Sequence, residues 1–167
     1  METKQLEKEF LDMIAAQKRI IYKVCYIYAK DRDDLNDLFQ EVVLNLWKGF
    51  PHYRGNGKQS TWVYSIAMKT CITFLRRLSV RPQTIPMTVD VDGMTAEGGE
   101  WAEQLQELYL HISQLGKLER ALVFLWLEER SYQEMAEILG ISKANVAVKL
   151  NRTKEKLRRS FAKANRK

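Results

Sequence analysis

The sequence predicts an all-α protein of two small helical domains joined by a flexible acidic linker. Three observations carry that expectation. Apolar residues recur at three- and four-residue steps on either side of a central interruption. Charge divides the chain in three: residues 1–78 hold 13 bases and 9 acids, residues 79–105 hold 1 and 5, and residues 106–167 hold 13 and 7. The middle segment also contains Pro82, Pro86 and the glycine-bearing run 92–99, which break helices and favour a connector. A chain of 167 residues, 46% apolar, can bury two small cores.

In the first domain, Leu6, Phe10, Met13, Ile14, Ile20, Ile21, Val24 and Ile27 form the stripe of an amphipathic helix running to about residue 29. Asp31, Asp33 and Asp34 favour the start of a second helix through capping and the helix dipole. Its apolar side is Leu35, Leu38, Phe39, Val42, Val43, Leu46 and Trp47. On its other side Asp34, Asp37, Gln40 and Glu41 make an acidic, polar stripe on a protein of net charge +6, which suits a protein partner. Positions 49–60 are rich in Gly, Pro, His, Tyr, Arg and Asn and predict a polar loop. Ser60 or Thr61 then caps a helix over 61–78 that buries Val63, Ile66, Ala67, Ile72 and Leu75. Positions 48–78 carry six bases and no acid, with Tyr53, Trp62 and Tyr64 interleaved. Unpaired bases stack on such rings while cations hold the backbone; Trp62 equally suits a core position.

In the second domain, Ser131 with Glu134 three residues on has the spacing of a capping box. Met135, Ala136, Ile138 and Leu139 supply a short apolar face, Gly140 suits the left-handed C′ position, and Ser142 caps a further helix facing inward through Val146, Leu150 and Leu157. Ten bases against one acid from 141 to 167 make this a DNA-binding helix-turn-helix. Lys143, Asn145, Lys149 and Arg152 lie near its base-reading end. Lys154, Lys156, Arg158, Arg159 and Lys163 serve phosphates.

The residues also exclude several classes. No apolar stretch reaches the length of a membrane span, and the charged start METKQLEKEF does not read as a signal peptide, so the expectation is a cytoplasmic protein without membrane insertion. Cys25 and Cys71 sit singly in apolar helical patterns and predict buried, reduced thiols. His52 and His111 have no ligand or carboxylate spacing around them, so neither a metal site, a cofactor nor an enzyme is expected. On these grounds the chain is a two-module helix-turn-helix DNA-binding protein whose first module offers an acidic surface to a protein partner; the alternative is a two-module helix-turn-helix regulator whose acidic helix is mere surface.

The stretch Asp37-Leu38-Phe39-Gln40-Glu41-Val42-Val43-Leu44-Asn45-Leu46-Trp47 resembles region 2.2 of the bacterial extracytoplasmic-function (ECF) sigma factors. Tyr53-Arg54-Gly55 followed by Ser60-Thr61-Trp62-Val63-Tyr64-Ser65-Ile66-Ala67 is similar to their regions 2.3 and 2.4, and the C-terminal domain resembles region 4. The resemblance implies that Asp34, Asp37, Leu38, Gln40 and Glu41 dock on the β′ coiled coil of core RNA polymerase. It implies that Tyr53, Arg54, Asn56, Lys58, Ser60, Trp62, Tyr64 and Lys69 read and open the minus-ten element. Ser142, Lys143, Asn145, Lys149, Arg152 and Lys156 would contact the minus-thirty-five element of promoter DNA, and the same domain the β flap. An anti-sigma factor is a further implied partner. Where the family commonly has Thr-Val-Lys-Ser-Arg-Leu, this chain has Asn145-Val146-Ala147-Val148-Lys149-Leu150. Asn145 can pair bidentately with adenine, whereas Ala147 offers a methyl contact.

Overall fold

The computed structural model describes residues 2–53, 58–77 and 99–165, apart from the side chains of 76, 77 and 99–105. Every extended element among them is helical, and the chain separates into two compact units, Met1–Pro86 and Met87–Lys167. No helix among the described residues is long and apolar enough to cross a membrane. Most of the expected connector, 79–98, lies outside the described residues, and a helix begins at Gly99.

In the first unit three helices pack mutually: α1 (Glu2–Tyr28), α2 (Arg32–Gly49) and α3 (Gln59–Arg77). The chain turns from α1 into α2 at Asp31, whose carboxylate accepts the Asp34 N–H at 2.8 Å. Asp34 reaches back to accept the Lys30 N–H at 3.4 Å. The two carboxylates thus satisfy backbone donors at the start of α2 and complement its dipole. The core is built from Phe10, Met13, Ile21 and Val24 of α1, Leu35, Leu38, Val42 and Leu46 of α2, and Val63, Tyr64, Ala67 and Met68 of α3. Each Val, Leu, Ile, Phe or Met among them contributes about 1.5–3 kcal/mol through burial. A buried hydroxyl in α3, that of Thr70, is fully used: it donates to Ile66 O at 2.7 Å and accepts from Asn45 Nδ2 at 2.9 Å. Cys25 and Cys71 are free and buried, as expected, and α1 and α3 bring them side by side. A hydrogen bond with the Cys25 thiol, with burial, pushes the Cys71 thiol well above its ordinary range.

Beyond α2 the chain makes one 3₁₀ turn, Phe50–His52, with Pro51 inside it, and Tyr53 N–H closes it on Gly49 O and Phe50 O, both at 3.1 Å. The third helix starts two residues earlier than expected, at Gln59. Ser60 and Thr61 therefore lie inside its first turn, and the Lys58 carbonyl accepts the first helical N–H, from Trp62, at 3.3 Å.

In the second unit, α4 (Gly99–Ser113), α5 (Lys117–Leu127) and α6 (Tyr132–Leu139) are followed by α7 (Lys143–Asn165). Helices α4, α5 and α6 each pack on α7. Helix α5 is buried over the unbroken run Ala121, Leu122, Val123, Phe124 and Leu125, because neighbours cover more than one of its sides. Its N-terminus is closed by Glu119 Oε1, which accepts the Gly116 N–H at 3.1 Å. At its other end Glu129 adopts φ 60°, a left-handed conformation unfavourable for a residue with a Cβ, so that Arg130 N–H can reach Leu125 O at 3.0 Å. A small cluster of Ile112, Leu115, Val123 and Leu157, flanked by Leu108 and Phe161, joins α4, α5 and α7. Beside it His111 Nδ1 meets Ser160 Oγ at 2.5 Å and its ring lies 4.0 Å from that of Phe161.

The helix-turn-helix follows its local chemistry. Ser131 Oγ accepts the Glu134 N–H at 3.1 Å and its hydroxyl donates to Glu134 Oε1 at 3.4 Å. Gly140, at φ 69° and ψ 30°, ends α6 in the left-handed conformation, its N–H donating to Ala136 O at 2.9 Å. Two residues on, Ser142 Oγ accepts the Asn145 N–H at 3.1 Å and starts α7.

Candidate functional site

The outer face of α2 is both acidic and apolar. Asp37 and Gln40 are exposed and Glu41 is half-buried. Asp34 is half-buried, with its carboxylate at the helix cap. Leu38, expected on the docking surface, is instead 0% exposed in the three-helix core and cannot meet a partner. Its apolar role passes to residues not singled out from sequence. A groove of about 370 Å³ is lined by Phe10, Phe39, Gln40, Val43, Leu44 and Trp47, and Leu44 is 45% exposed. The signal was present: Leu35, Leu38, Val42 and Leu46 already complete one buried stripe, so Val43 and Leu44 are more apolar side chain than one helix face can bury.

A ladder of rings runs from this groove toward the loop. Phe10 lies 5.0 Å from Trp47 and 5.4 Å from Phe50, and Phe50 lies 6.5 Å from Trp62. Trp62 and Tyr53 stack with centroids 4.6 Å apart and planes inclined by 23°. Gly49 makes room for this, since a Cβ there would come within 3.3 Å of Trp62 Cζ2. Tyr53 and Trp62 are both half-buried and form one platform rather than two separate ones. Tyr64, expected to stack on DNA, is 1% exposed and belongs to the core, because α3 is covered on both the α1 and α2 sides. Ser60 is half-buried within α3, while Lys58 and Lys69 are exposed. Arg54 and Asn56 lie outside the described residues. Lys69 also lines a depression of about 340 Å³ between α2 and α3, together with Glu41, Asn45, Lys48 and Thr73.

Ser142, which caps α7, and Lys143, Asn145, Lys149, Arg152 and Lys156 on it are all exposed. The basic residues separate into two sets that sequence could not distinguish. Lys156 Nζ sits 2.8 Å from Glu119 Oε2, Arg158 and Arg159 pair with Glu155 at 3.1 and 3.6 Å, and Lys154 Nζ lies 4.3 Å from the centre of the Trp126 ring. Lys143, Lys149 and Arg152 form no ion pair among the described residues. Partial burial acts to raise the Glu119 pKa, but the hydrogen bonds from Lys156 and the Gly116 N–H, with the charges of Lys156 and Lys149, outweigh it and hold the carboxyl below its usual value. Helix α7 therefore presents cations without ion pairs at Lys143, Lys149 and Arg152, whereas Lys156, Arg158 and Arg159 are partly compensated by Glu119 and Glu155.

Comparison with known proteins matches both units. Residues 13–81 fit the family described as Sigma-70 region 2, and residues 105–157 fit Sigma-70, region 4. Among curated relatives, the ECF RNA polymerase sigma factor SigX of Bacillus subtilis (strain 168) is 24% identical, over 92% of this chain and 84% of its own length. SigW of the same organism is 25% identical, over 91% and 88%. Among solved structures, the sigma factor RpoE of Bartonella quintana, in complex with the anti-sigma factor NepR, superposes with a TM-score of 0.69 at 15% identity, covering 95% of this chain and 98% of that one. CnrH, in complex with the cytosolic domain of CnrY, gives 0.68 at 15% identity, covering 93% and 89%.

Proposed function

The chain belongs to the ECF group of the sigma-70 family and directs transcription initiation, and from that premise we propose how its surfaces divide the work. The outer face of α2 docks on the β′ coiled coil of core RNA polymerase. Asp37, Gln40 and Glu41 supply the polar contacts, and Leu44, with Val43, Phe39 and Trp47 around the groove, supplies an apolar anchor. The observation that carries this assignment is the open apolar groove beside an acidic stripe on one helix. A rim of charge around a desolvated anchor is how protein interfaces concentrate their binding energy.

The Tyr53–Trp62 pair is the platform for an unpaired base of the minus-ten element. Because the two rings already stack on each other, a base extends the stack on the open side rather than entering between them. Stacking of about 1–3 kcal/mol offsets the few kcal/mol needed to take a base out of the duplex. Lys58 and Lys69, and in the loop Arg54 and Asn56, hold the strand beside the platform. Helix α7 reads the minus-thirty-five duplex, with Lys143, Lys149 and Arg152 on phosphates or base edges and Asn145 available to adenine. The same unit meets the β flap. Polymerase holds the two units at one spacing, so two modest DNA contacts act together.

An anti-sigma factor that covers the α2 face is the natural inhibitor; RpoE, whose fold this chain shares, is found in complex with one, NepR. The protein acts in the cytoplasm. Run-off transcription with purified core polymerase on a genomic fragment library tests the reading. Transcripts that start at defined sites only when this chain is added support it; an effect only on polymerase already carrying another sigma factor points to a separate regulator.

A further inference from the structure

We propose that Val148 is a specificity-determining residue of the upstream DNA contact, its isopropyl group seated against the 5-methyl group of a thymine in the major groove. The inference rests on the reading of α7 as the DNA-binding helix. Val146, Leu150, Thr153 and Leu157 are buried and define the inward side of α7. At about 100° per residue, Val148 lies roughly 200° around the helix from Val146, on the side opposite the core. It is 49% exposed, among the large apolar side chains left open in this unit. Ala144 one turn before it and Asn151 one turn after it are exposed as well. The outermost stripe of the helix is thus apolar, apolar, amide, with Lys149 and Arg152 along one flank.

A β-branched residue in this place gives the free protein little, since valine is a weaker helix former than alanine and has no core to fill here. On DNA its situation changes. A helix about 10–12 Å across fills the major groove, about 12 Å wide, so the stripe farthest from the protein core lies nearest the base edges. Adenine, guanine and cytosine present donors and acceptors there, whereas thymine also presents a methyl group. Against a polar edge Val148 would displace water without replacing its hydrogen bonds, which is costly. Against thymine it buries apolar surface on both sides. Valine holds essentially one χ1 rotamer in a helix, so the group is placed with little loss of freedom. The charges of Lys149 and Arg152 on that flank are engaged in no ion pair among the described residues and remain available to the phosphates on that side of the groove.

The test uses the full chain with core polymerase. Random-sequence duplexes are selected for binding, and each thymine of the selected upstream element is then replaced by deoxyuridine, which removes only the methyl group. The expected result is one position at which deoxyuridine weakens wild-type binding by roughly fourfold or more. Val148→Ala, which raises helix propensity at an exposed site and so keeps the fold, should bind less tightly and be indifferent to deoxyuridine there. Lys149→Ala should bind less tightly yet keep the methyl sensitivity. A wild-type protein insensitive at every upstream thymine, or Val148→Ala with undiminished sensitivity, overturns the proposal. If Lys149→Ala and Arg152→Ala both bind as wild type, the DNA-binding reading of α7 falls, and this proposal with it.

Discussion

Replacing Glu119 by glutamine isolates one charge of the DNA-binding helix. The Glu119 carboxylate has two duties: Oε1 accepts the Gly116 N–H at the start of α5, and Oε2 holds Lys156 at 2.8 Å. Glutamine retains an oxygen for the first and loses the charge that sustains the second. Both partners are partly in solvent, at 61% exposure for the Lys156 side chain and 26% for Glu119. The pair is therefore a surface one, and its loss costs only about 0.2–1 kcal/mol of stability. The larger effect falls on DNA. Each phosphate neutralised by a cation steepens the dependence of log K on log salt by about 0.9. Lys143, Lys149 and Arg152 are the cations in this helix's first half with neither an ion pair nor a ring contact among the described residues, and neutralising one phosphate each they give a slope near −2.7. Releasing Lys156 in Glu119→Gln moves it toward about −3.6 and tightens binding at low salt. Fluorescence anisotropy of the full chain with an upstream duplex, at several salt concentrations, reads the slope directly. Equal slopes for wild type and Glu119→Gln would refute the argument that Lys156 is withheld from DNA.

The same carboxyl has an acid-side signature. Its folded pKa is lowered, so the stability it contributes is present above the ordinary glutamate range, near pH 4.3, and is lost as pH falls through the lowered folded value. Thermal melting between pH 6 and 3 should show that portion of the acid sensitivity missing in Glu119→Gln. On α2, Asp37→Ala, Glu41→Ala and Leu44→Asp should weaken association with core polymerase while leaving the thermal midpoint close to wild type. Leu38→Ala, by contrast, should cost about 2–5 kcal/mol of stability through an unfilled core, as urea unfolding would show. Tyr53→Ala should form closed complexes and fail to open them, seen as loss of permanganate-reactive thymines; normal opening would deprive the Tyr53–Trp62 platform of its role. Glu129→Gly, relieving a left-handed φ of 60°, should stabilise the second unit by roughly 0.5–1 kcal/mol in the same unfolding assay.

What sequence revealed and what it concealed divide along the range of the interactions concerned. The caps at Asp31, Ser131 and Ser142 and the left-handed Gly140 depend on residues within four positions of one another, so their chemistry is readable in a line of text. The resemblance implies surface roles for Tyr64 and Leu38, yet both point inward. Helix α3 is covered by α1 and α2 together, which widens its buried sector to take in adjacent residues such as Val63 and Tyr64. The juxtaposition of Cys25 with Cys71, and that of Glu119 with Lys156, join residues far apart in the chain and carry no local mark. The surplus of lysine and arginine after position 141 was plain; how much of it is already spent within the protein required the fold.

The ring ladder from Trp47 through Phe10, Phe50 and Trp62 to Tyr53 has a consequence for genetics. Phe50 belongs to neither the polymerase nor the DNA surface in the division of labour above, and Phe10 only lines the docking groove, yet each braces a wall that both surfaces share. Alleles at these two codons should therefore present mixed phenotypes, weak holoenzyme assembly together with sluggish bubble formation, and a screen that scores either trait alone would assign them to the wrong step.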